Sequence, residues 1–278
     1  MPILVNQKLV GFFKFSGGEC HVKISDLEIT ERTNILANLN NSDDVMSLLL
    51  IVDAVRRINP STQVLLTIPY FPYARQDRVC NEGEALSVKV MADLINSLNC
   101  AGVTIYDPHS DVTPALLNNC RVISVADIIS KSFLAKEINY KNLLLISPDA
   151  GAEKKVRMVA KKLSAVGEVV EVLCATKSRD TMTGNITSTT IHGDVKGHNI
   201  MIVDDICDGG ATFIELAKLL KEQGAGDIYL YVTHGIFSKG LAVLEDHFKH
   251  VYCYHTLLQS ESVNESFLTM LSGHDELH

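Results

Sequence analysis

The stretch that most constrains the fold runs from Ile200 to Thr212 and reads I-M-I-V-D-D-I-C-D-G-G-A-T. Ile200 to Val203 form a short apolar run suited to a buried parallel strand. Asp204 and Asp205 follow where such a strand is expected to end, and then come small residues, Asp208-Gly209-Gly210-Ala211-Thr212. Phe213, Leu216, Leu219 and Leu220 recur at helical spacing, and Gly224 is placed to stop that helix. A strand, two carboxylates, a small-residue loop and a helix make a cradle for phosphate. Small side chains let backbone N–H groups approach an anion, and the helix N-terminus adds partial positive charge. Paired carboxylates suit vicinal sugar hydroxyls or a metal ion. The spacing is neither the dinucleotide fingerprint nor the ATP-type P-loop.

The rest of the chain supplies the sheet for this unit. Val64–Ile68, Gly102–Tyr106, Arg121–Ser124, Leu143–Ile146, Val169–Leu173, Asn199–Val203, Ile228–Val232 and Val251–Tyr254 read as short strands, the last being the final one. Helical patterns alternate with them: a helix capped by Ser42 with Val45, Leu48, Leu49, Val52 and Val55 on one face, then Ala85–Leu98, Thr113–Asn118, Ala126–Ala135, Ala152–Leu163 and Leu241–His247. Val10–Phe15 and Cys20–Ile24 read as a hairpin turning at Ser16-Gly17-Gly18-Glu19, and Asn34–Leu39 as a further strand. Strands alternating with helices imply parallel sheets, here in two similar α/β domains, residues 1–126 and 127–278. Thr176–Ser188 is polar without an apolar period, and a dozen or so residues is long for a connection, so a mobile lid is expected there. The last twenty or so residues read as polar, at an interface or loosely held.

Composition narrows the function. A net charge of −8 argues against a nucleic-acid partner. No stretch approaches the ~20 apolar residues of a membrane span, and Met1-Pro2-Ile3-Leu4-Val5 lacks the basic and apolar regions of a signal peptide. The seven cysteines include no C-x-x-C pair, which points to reduced thiols in a cytoplasmic protein, with Cys207 a small buried filler. Polar residues gather at the expected C-terminal ends of strands: Asp107 and His109, Asp149, Asp204, Asp205 and Asp208, and His234. Open α/β sheets bind their ligands at those ends.

With those residues in hand, the chain resembles the ribose-phosphate pyrophosphokinases from Phe13 to about Tyr254. The matching stretches are Phe15-Ser16…Glu19, Pro72-Tyr73-Ala74-Arg75-Gln76-Asp77-Arg78, Asp107-Pro108-His109, Ser147-Pro148-Asp149-Ala150-Gly151, Lys177-Ser178-Arg179, Val203–Thr212 and Thr233-His234-Gly235-Ile236-Phe237-Ser238. Phosphoribosyltransferases share the sugar-phosphate loop; the Tyr73–Arg78 and Ser147–Gly151 segments are far more specific to the pyrophosphokinases. The resemblance implies two type-I-phosphoribosyltransferase-like domains, each a mainly parallel sheet flanked by helices. It implies Mg²⁺-dependent transfer of the diphosphate of ATP to a ribose anomeric hydroxyl, with AMP leaving. Carried over position by position, Arg75, Gln76 and Asp77 would hold ATP, and Phe15 and Glu19 would approach its adenine from a neighbouring subunit of a dimer-based homo-oligomer, up to a hexamer. His109 and Asp149 would organise Mg²⁺ and phosphate, and His109, Lys177 and Arg179 would serve catalysis. Asp204 and Asp205 would face the ribose hydroxyls or a second metal, and Asp208, Gly209, Gly210, Ala211 and Thr212 would hold the 5-phosphate.

Three departures from the family pattern bear on the substrate. The usual loop is Asp-Thr-x-Gly-Thr; here Gly209 removes a hydroxyl donor and Ala211 adds a methyl. A 5-phosphate monoester would lose one hydrogen bond, about 1.5–3 kcal/mol for a charged acceptor. Gly17 stands where Asn or Asp is usual, and Val79–Glu84 replaces a usually basic stretch, which argues against phosphate-type allosteric control. Three readings follow: a diphosphokinase acting on ribose 5-phosphate, the same reaction on a larger 5-phosphodiester ribose such as ADP-ribose, or a non-catalytic regulatory subunit. The last sits poorly with Lys177, Arg179, His109 and Asp149 all being present.

Overall fold

Alternating strands and helices become two main sheets in the computed structural model, one in each of two compact units, Met1–Ile123 and Ser124–His278. The structure describes residues 3–132, 134, 142–164, 169–179, 186–258, 264 and 266–271, with 177–179 and 186–188 described by backbone alone.

The first unit contains β1 (Ile3–Val5), β2 (Lys8–Val10), β3 (Phe12–Lys14), β4 (Cys20–Val22), β5 (Arg32–Ala37), β6 (Gln63–Ile68), β7 (Gly102–Tyr106) and β8 (Cys120–Ile123). Its helices are α1 (Ser42–Ile58), α2 (Ser87–Ser97) and α3 (Val112–Leu116). The main sheet has the order β2-β1-β5-β6-β7-β8. β5 to β8 run parallel, and the β1–β2 hairpin adds antiparallel to β5. Ile35, Leu66 and Ile105 from the strands meet Leu48, Val55, Met91 and Ile95 from the helices in one core.

The second unit contains α4 (Val125–Lys131), β9 (Leu143–Ser147), α5 (Glu153–Ser164), β10 (Glu171–Arg179), β11 (Ile186–Ile191), β12 (Asn199–Cys207), α6 (Ala211–Glu222), β13 (Ile228–Gly235), α7 (Ala242–Glu245), β14 (His250–Thr256) and β15 (Leu268–Met270). The sheet order is β11-β10-β9-β12-β13-β14-β15, parallel except for β11. Its core gathers Ile146, Ile202, Leu230 and Val251 with Phe213, Leu216 and Leu220 of α6. Gly224, in the left-handed region at φ 86°, follows α6 as expected, and Ala225 N–H bonds back to Leu220.

Five expectations need correction. Val10–Phe15 is not one strand: the chain breaks at Gly11, so Val10 ends β2 and Phe12 begins β3 in a separate two-stranded sheet. The cap of α1 is Asn41, whose side chain accepts from Asp44 N–H at 3.0 Å, rather than Ser42. Asp204 and Asp205 lie within β12, which continues to Cys207 because β13 pairs with it as far as Gly235. Much of Thr176–Ser188 is strand. β10 runs out to Arg179 and β11 returns from Ile186, pairing Lys177 with Thr189; 180–185 lie outside the described residues. Val251–Tyr254 is not the final strand, since β15 adds beside β14 and Phe267, Leu268 and Leu271 are buried.

Candidate active site

The second sheet reverses its strand order between β9 and β12, and an open parallel sheet leaves a crevice at such a point. Polar groups stand there from both strands. Asp149 follows β9, and its Oδ1 accepts the N–H groups of Gly151 and Ala152 at 2.9 and 3.2 Å, ahead of α5. Ser147 Oγ donates to the Asp149 carbonyl at 2.6 Å, tightening the same turn. Asp204 Oδ1 accepts Asp205 N–H at 2.9 Å. Burial holds the Asp204 carboxyl well above the ordinary carboxylate range, and the charge of Asp205, a hydrogen bond with it and the charge of Asp149 add to the effect. Lys155 Nζ stands 4.0 Å from Asp205 Oδ2. Three carboxylates and a lysine therefore meet where the strand order turns.

Beyond β12 the chain makes the loop Asp208–Thr212. Gly210 sits in the left-handed region at φ 78°, and a Cβ there would lie 2.9 Å from Leu244, so both backbone and packing call for glycine. α6 starts at Ala211, with no side-chain cap on its first turn. The N–H groups of a first helical turn have no acceptor within the helix, which leaves those of Ala211 and Thr212 suited to an anion. Cys207, at the loop's root, is fully buried, and burial pushes its thiol up to about 12, so it is inert filler.

A second segment is fastened to this loop. Ile236 and Phe237 N–H groups both bond to the Cys207 carbonyl, at 2.9 and 3.1 Å, and Ser238 N–H bonds to the Asp208 carbonyl at 3.2 Å. Phe237 is buried with φ 47°, and a Cβ on Gly235 would fall 2.0 Å from its ring. Gly240 N–H closes the turn onto the Phe237 carbonyl at 2.8 Å. The turn carries Lys239, whose stem passes over Gly209: a Cβ at 209 would sit 3.4 Å from Lys239 Cε.

In the first unit the expected ATP residues occupy two places. Phe15 N–H donates to the Glu19 carbonyl at 2.9 Å, closing the β3–β4 turn, so Phe15 and Glu19 are brought together. Phe15 is half exposed and forms an aromatic cluster with Phe13 and His21, ring centroids 5.2 to 5.8 Å apart. The loop after β6 is anchored by buried Phe71 and Ala74, while Arg75 and Gln76 are exposed. Its path depends on Tyr73 at φ 62°, with Gln76 N–H returning to the Tyr73 carbonyl at 2.9 Å. Asp77 lies 3.7 Å from the Arg78 guanidinium. Asp107 is buried at φ 37° with its N–H on the Ile123 carbonyl at 2.8 Å, which turns the chain so that His109 is exposed.

Asp149, Asp204, Asp205 and Asp208–Thr212 thus belong to one crevice of the second sheet. Lys177 and Arg179 lie on the backbone of β10 in that same sheet. Three residues escaped the sequence reading. His21 has only its place opposite Phe13 in the hairpin to mark it. Lys155 carries a signal in retrospect, two residues into the helix that follows Ser147–Gly151. Lys239 has a weaker one, directly after Thr233–Ser238.

Two family models match the chain. Residues 5–98 match the N-terminal domain of ribose phosphate pyrophosphokinase, and residues 115–265 match the phosphoribosyl transferase domain. The ribose-phosphate pyrophosphokinase of Ralstonia nicotianae is 33% identical over 249 residues, covering 87% of this chain and 74% of that protein. That of Aquifex aeolicus is 30% identical over 227 residues, covering 81% of this chain and 70% of that protein. Among solved structures, phosphoribosylpyrophosphate synthetase from Mycobacterium smegmatis superposes with a TM-score of 0.79 at 22% identity, covering 95% of this chain and 85% of that one. That likeness is one of fold, two phosphoribosyltransferase-like α/β domains.

Proposed function

Because the chain belongs to the ribose-phosphate pyrophosphokinase family, we propose that it transfers the β,γ-diphosphate of ATP to the anomeric 1-hydroxyl of a ribose 5-phosphate moiety, releasing AMP. The observation that carries this reading is the union of the Asp204–Asp205 pair with the Asp208–Thr212 loop on one strand–helix unit at the reversal of the sheet. The carboxylates accept from the ribose hydroxyls, and the loop amides with the α6 N-terminus take the 5-phosphate. Arg75, Gln76 and Asp77 hold ATP, while Phe15 and Glu19 serve the adenine of a neighbouring subunit in a homo-oligomer. Lys177 and Arg179 neutralise charge on the transferring diphosphate: Arg offers a planar fork and Lys a point charge.

The residues present fit Mg²⁺. Asp149 offers the hard oxygen donors that this ion takes, and the crowding that raises Asp204 marks a place where added positive charge is favourable. Asp149 would hold Mg²⁺ here, and His109 is the first unit's own candidate for metal or phosphate. Bound there, the ion supplies charge neutralisation at the phosphate oxygens.

A second reading of the acceptor has its own observation. Gly209 carries no side chain, and the space beside it is bounded by the Lys239 stem. The lack of a side chain at 209 suits a ribose whose 5-phosphate continues into a second phosphate, as in ADP-ribose, the flexible Lys239 stem being what would have to move. The protein is incubated with ATP, Mg²⁺ and either ribose 5-phosphate or ADP-ribose, and products are identified by mass. AMP forming in step with a diphosphorylated sugar is expected, and the productive sugar decides between the acceptors. ADP and inorganic phosphate as products would overturn the reaction. Sedimentation at assay concentration tests assembly: a fully active monomer would exclude composite sites.

A further inference from the structure

We propose that Lys239 is a phosphate-binding residue of the sugar site, its ammonium replacing the side-chain donor that Gly209 lacks. The inference rests on reading Asp208–Thr212 as the sugar-phosphate cradle. Three observations carry it. First, the Lys239 side chain lies against Gly209, with its Cε, Cδ and Cγ 3.4, 3.5 and 3.7 Å from where a Cβ of residue 209 would be. One C–N bond further, Nζ falls within about 5 Å of that point. Second, among the described residues the Lys239 side chain has no hydrogen bond or ion pair. Third, its position is built in. The Cys207 and Asp208 carbonyls take three N–H groups from 236–238, and the buried Phe237 ring wedges under Gly235.

Charge balance gives the position a reason. The loop is preceded by Asp204 and Asp205 and opens with Asp208, so a phosphate placed there meets three carboxylates. A helix N-terminus contributes only about half a positive charge. Lys155, the other lysine nearby, faces Asp205 at 4.0 Å. Lys239 is the cation that the second segment brings to the loop's outer side. A hydroxyl at 209 would reach one phosphate oxygen from a fixed place. An ammonium on a flexible stem accommodates the oxygens of a monoester or those of a diphosphate link, because it is a compact charge with three rotatable donors. The shared chemistry is a phosphate esterified at the ribose 5-position.

Titration calorimetry on the full chain tests this, using ribose 5-phosphate, ADP-ribose and ATP as separate probes with Lys239→Met, Lys239→Arg and the native protein. Met keeps the stem and removes the charge. The Lys239→Met variant should bind at least one sugar about 10-fold or more weakly, with ATP affinity within about twofold and an unchanged Tm, and Arg should recover most of the loss. Equal losses for the two sugars place the ammonium at the first phosphate; a larger loss for ADP-ribose places it at the second. Gly209→Thr supplies the cross-check, since its branched side chain would occupy the volume of the stem. In that background Lys239→Met should cost less than about threefold. Unchanged sugar affinity in Lys239→Met, or an equal loss for ATP, overturns the proposal while the family reaction stands. A native protein that binds neither sugar overturns the reaction and this inference together.

Discussion

The two sheets share a parallel strand–helix repeat but order their strands differently. In the first, β5 to β8 advance in one direction across the sheet. In the second, the chain lays down β9 and β10 one way, then returns to place β12 on the other side of β9 and continues to β15. Among the described strands the reversal lies in the second sheet, and there the carboxylates and the Asp208–Thr212 loop converge. The first shows no such reversal among its described strands, and the residues proposed for ATP stand on the β3–β4 hairpin and on the loop after β6. The difference predicts a division of labour: the second unit holds the sugar and the charge-neutralising Lys177 and Arg179, and the first holds the nucleotide and supplies His109.

The largest expected effect tests that division directly. Lys177→Ala and Arg179→Ala should each lower kcat by about 10²–10³-fold, the scale for losing one transition-state stabiliser, with Tm preserved. Loss of Tm with turnover per folded molecule intact would remove them from the chemistry. Next comes a pair of glycines. Gly235→Ala drives a methyl into the Phe237 ring and should destabilise by about 3 kcal/mol. Gly18→Ala, with φ 89° and open space around it, should lose only about 1–2 kcal/mol of backbone strain. Chemical denaturation of both variants measures the gap; equal losses would mean that the turn under Lys239 is not locked. In the first unit, Phe15→Ala and Arg75→Ala should raise KM for ATP by about 10-fold and leave kcat within threefold. A 100-fold fall in kcat at constant KM would dissolve the division. The smallest effects are in the helix caps. Asn41→Ala in the first unit and Ser124→Ala in the second should each cost about 1 kcal/mol, because both side chains accept a backbone N–H. Calorimetry resolves which unit each one weakens; a neutral Asn41→Ala with a costly Ser42→Ala would return the cap to Ser42.

What could be read from the residues depended on periodicity. β7 was legible end to end, since Gly102 and the turn at Asp107 bracket an apolar run, and α1 showed through its apolar face. The arm formed by β10 and β11 was not legible. Its outer residues are polar, and the strand signal resides in β-branched threonines such as Thr189 and Thr190, whose preference depends on a partner being present. The β1–β2 hairpin was missed because Asn6 and Gln7, at φ 47° and 65°, form the turn without glycine. β15 was missed because Phe267–Leu271 is a short apolar island in a polar tail. In the candidate site, the strand–loop–helix unit around Asp204–Thr212 was legible because its residues are contiguous. Lys239 was not, because only the backbone ladder between β12 and β13 lays it over Gly209.

That ladder has an evolutionary consequence. Loop and turn are joined by main-chain hydrogen bonds that among substitutions only a proline at 236, 237 or 238 removes, so positions 209 and 239 stay neighbours whatever residues they hold. On the proposal made for Lys239, acceptor preference becomes an epistatic trait of these two positions. A larger residue at 209 would press on the flexible Lys239 stem, and losing that stem first would remove the proposed donor. Lineages crossing between the two preferences would pass through a variant changed at one position only. Recombination that exchanges the two segments together would avoid that intermediate.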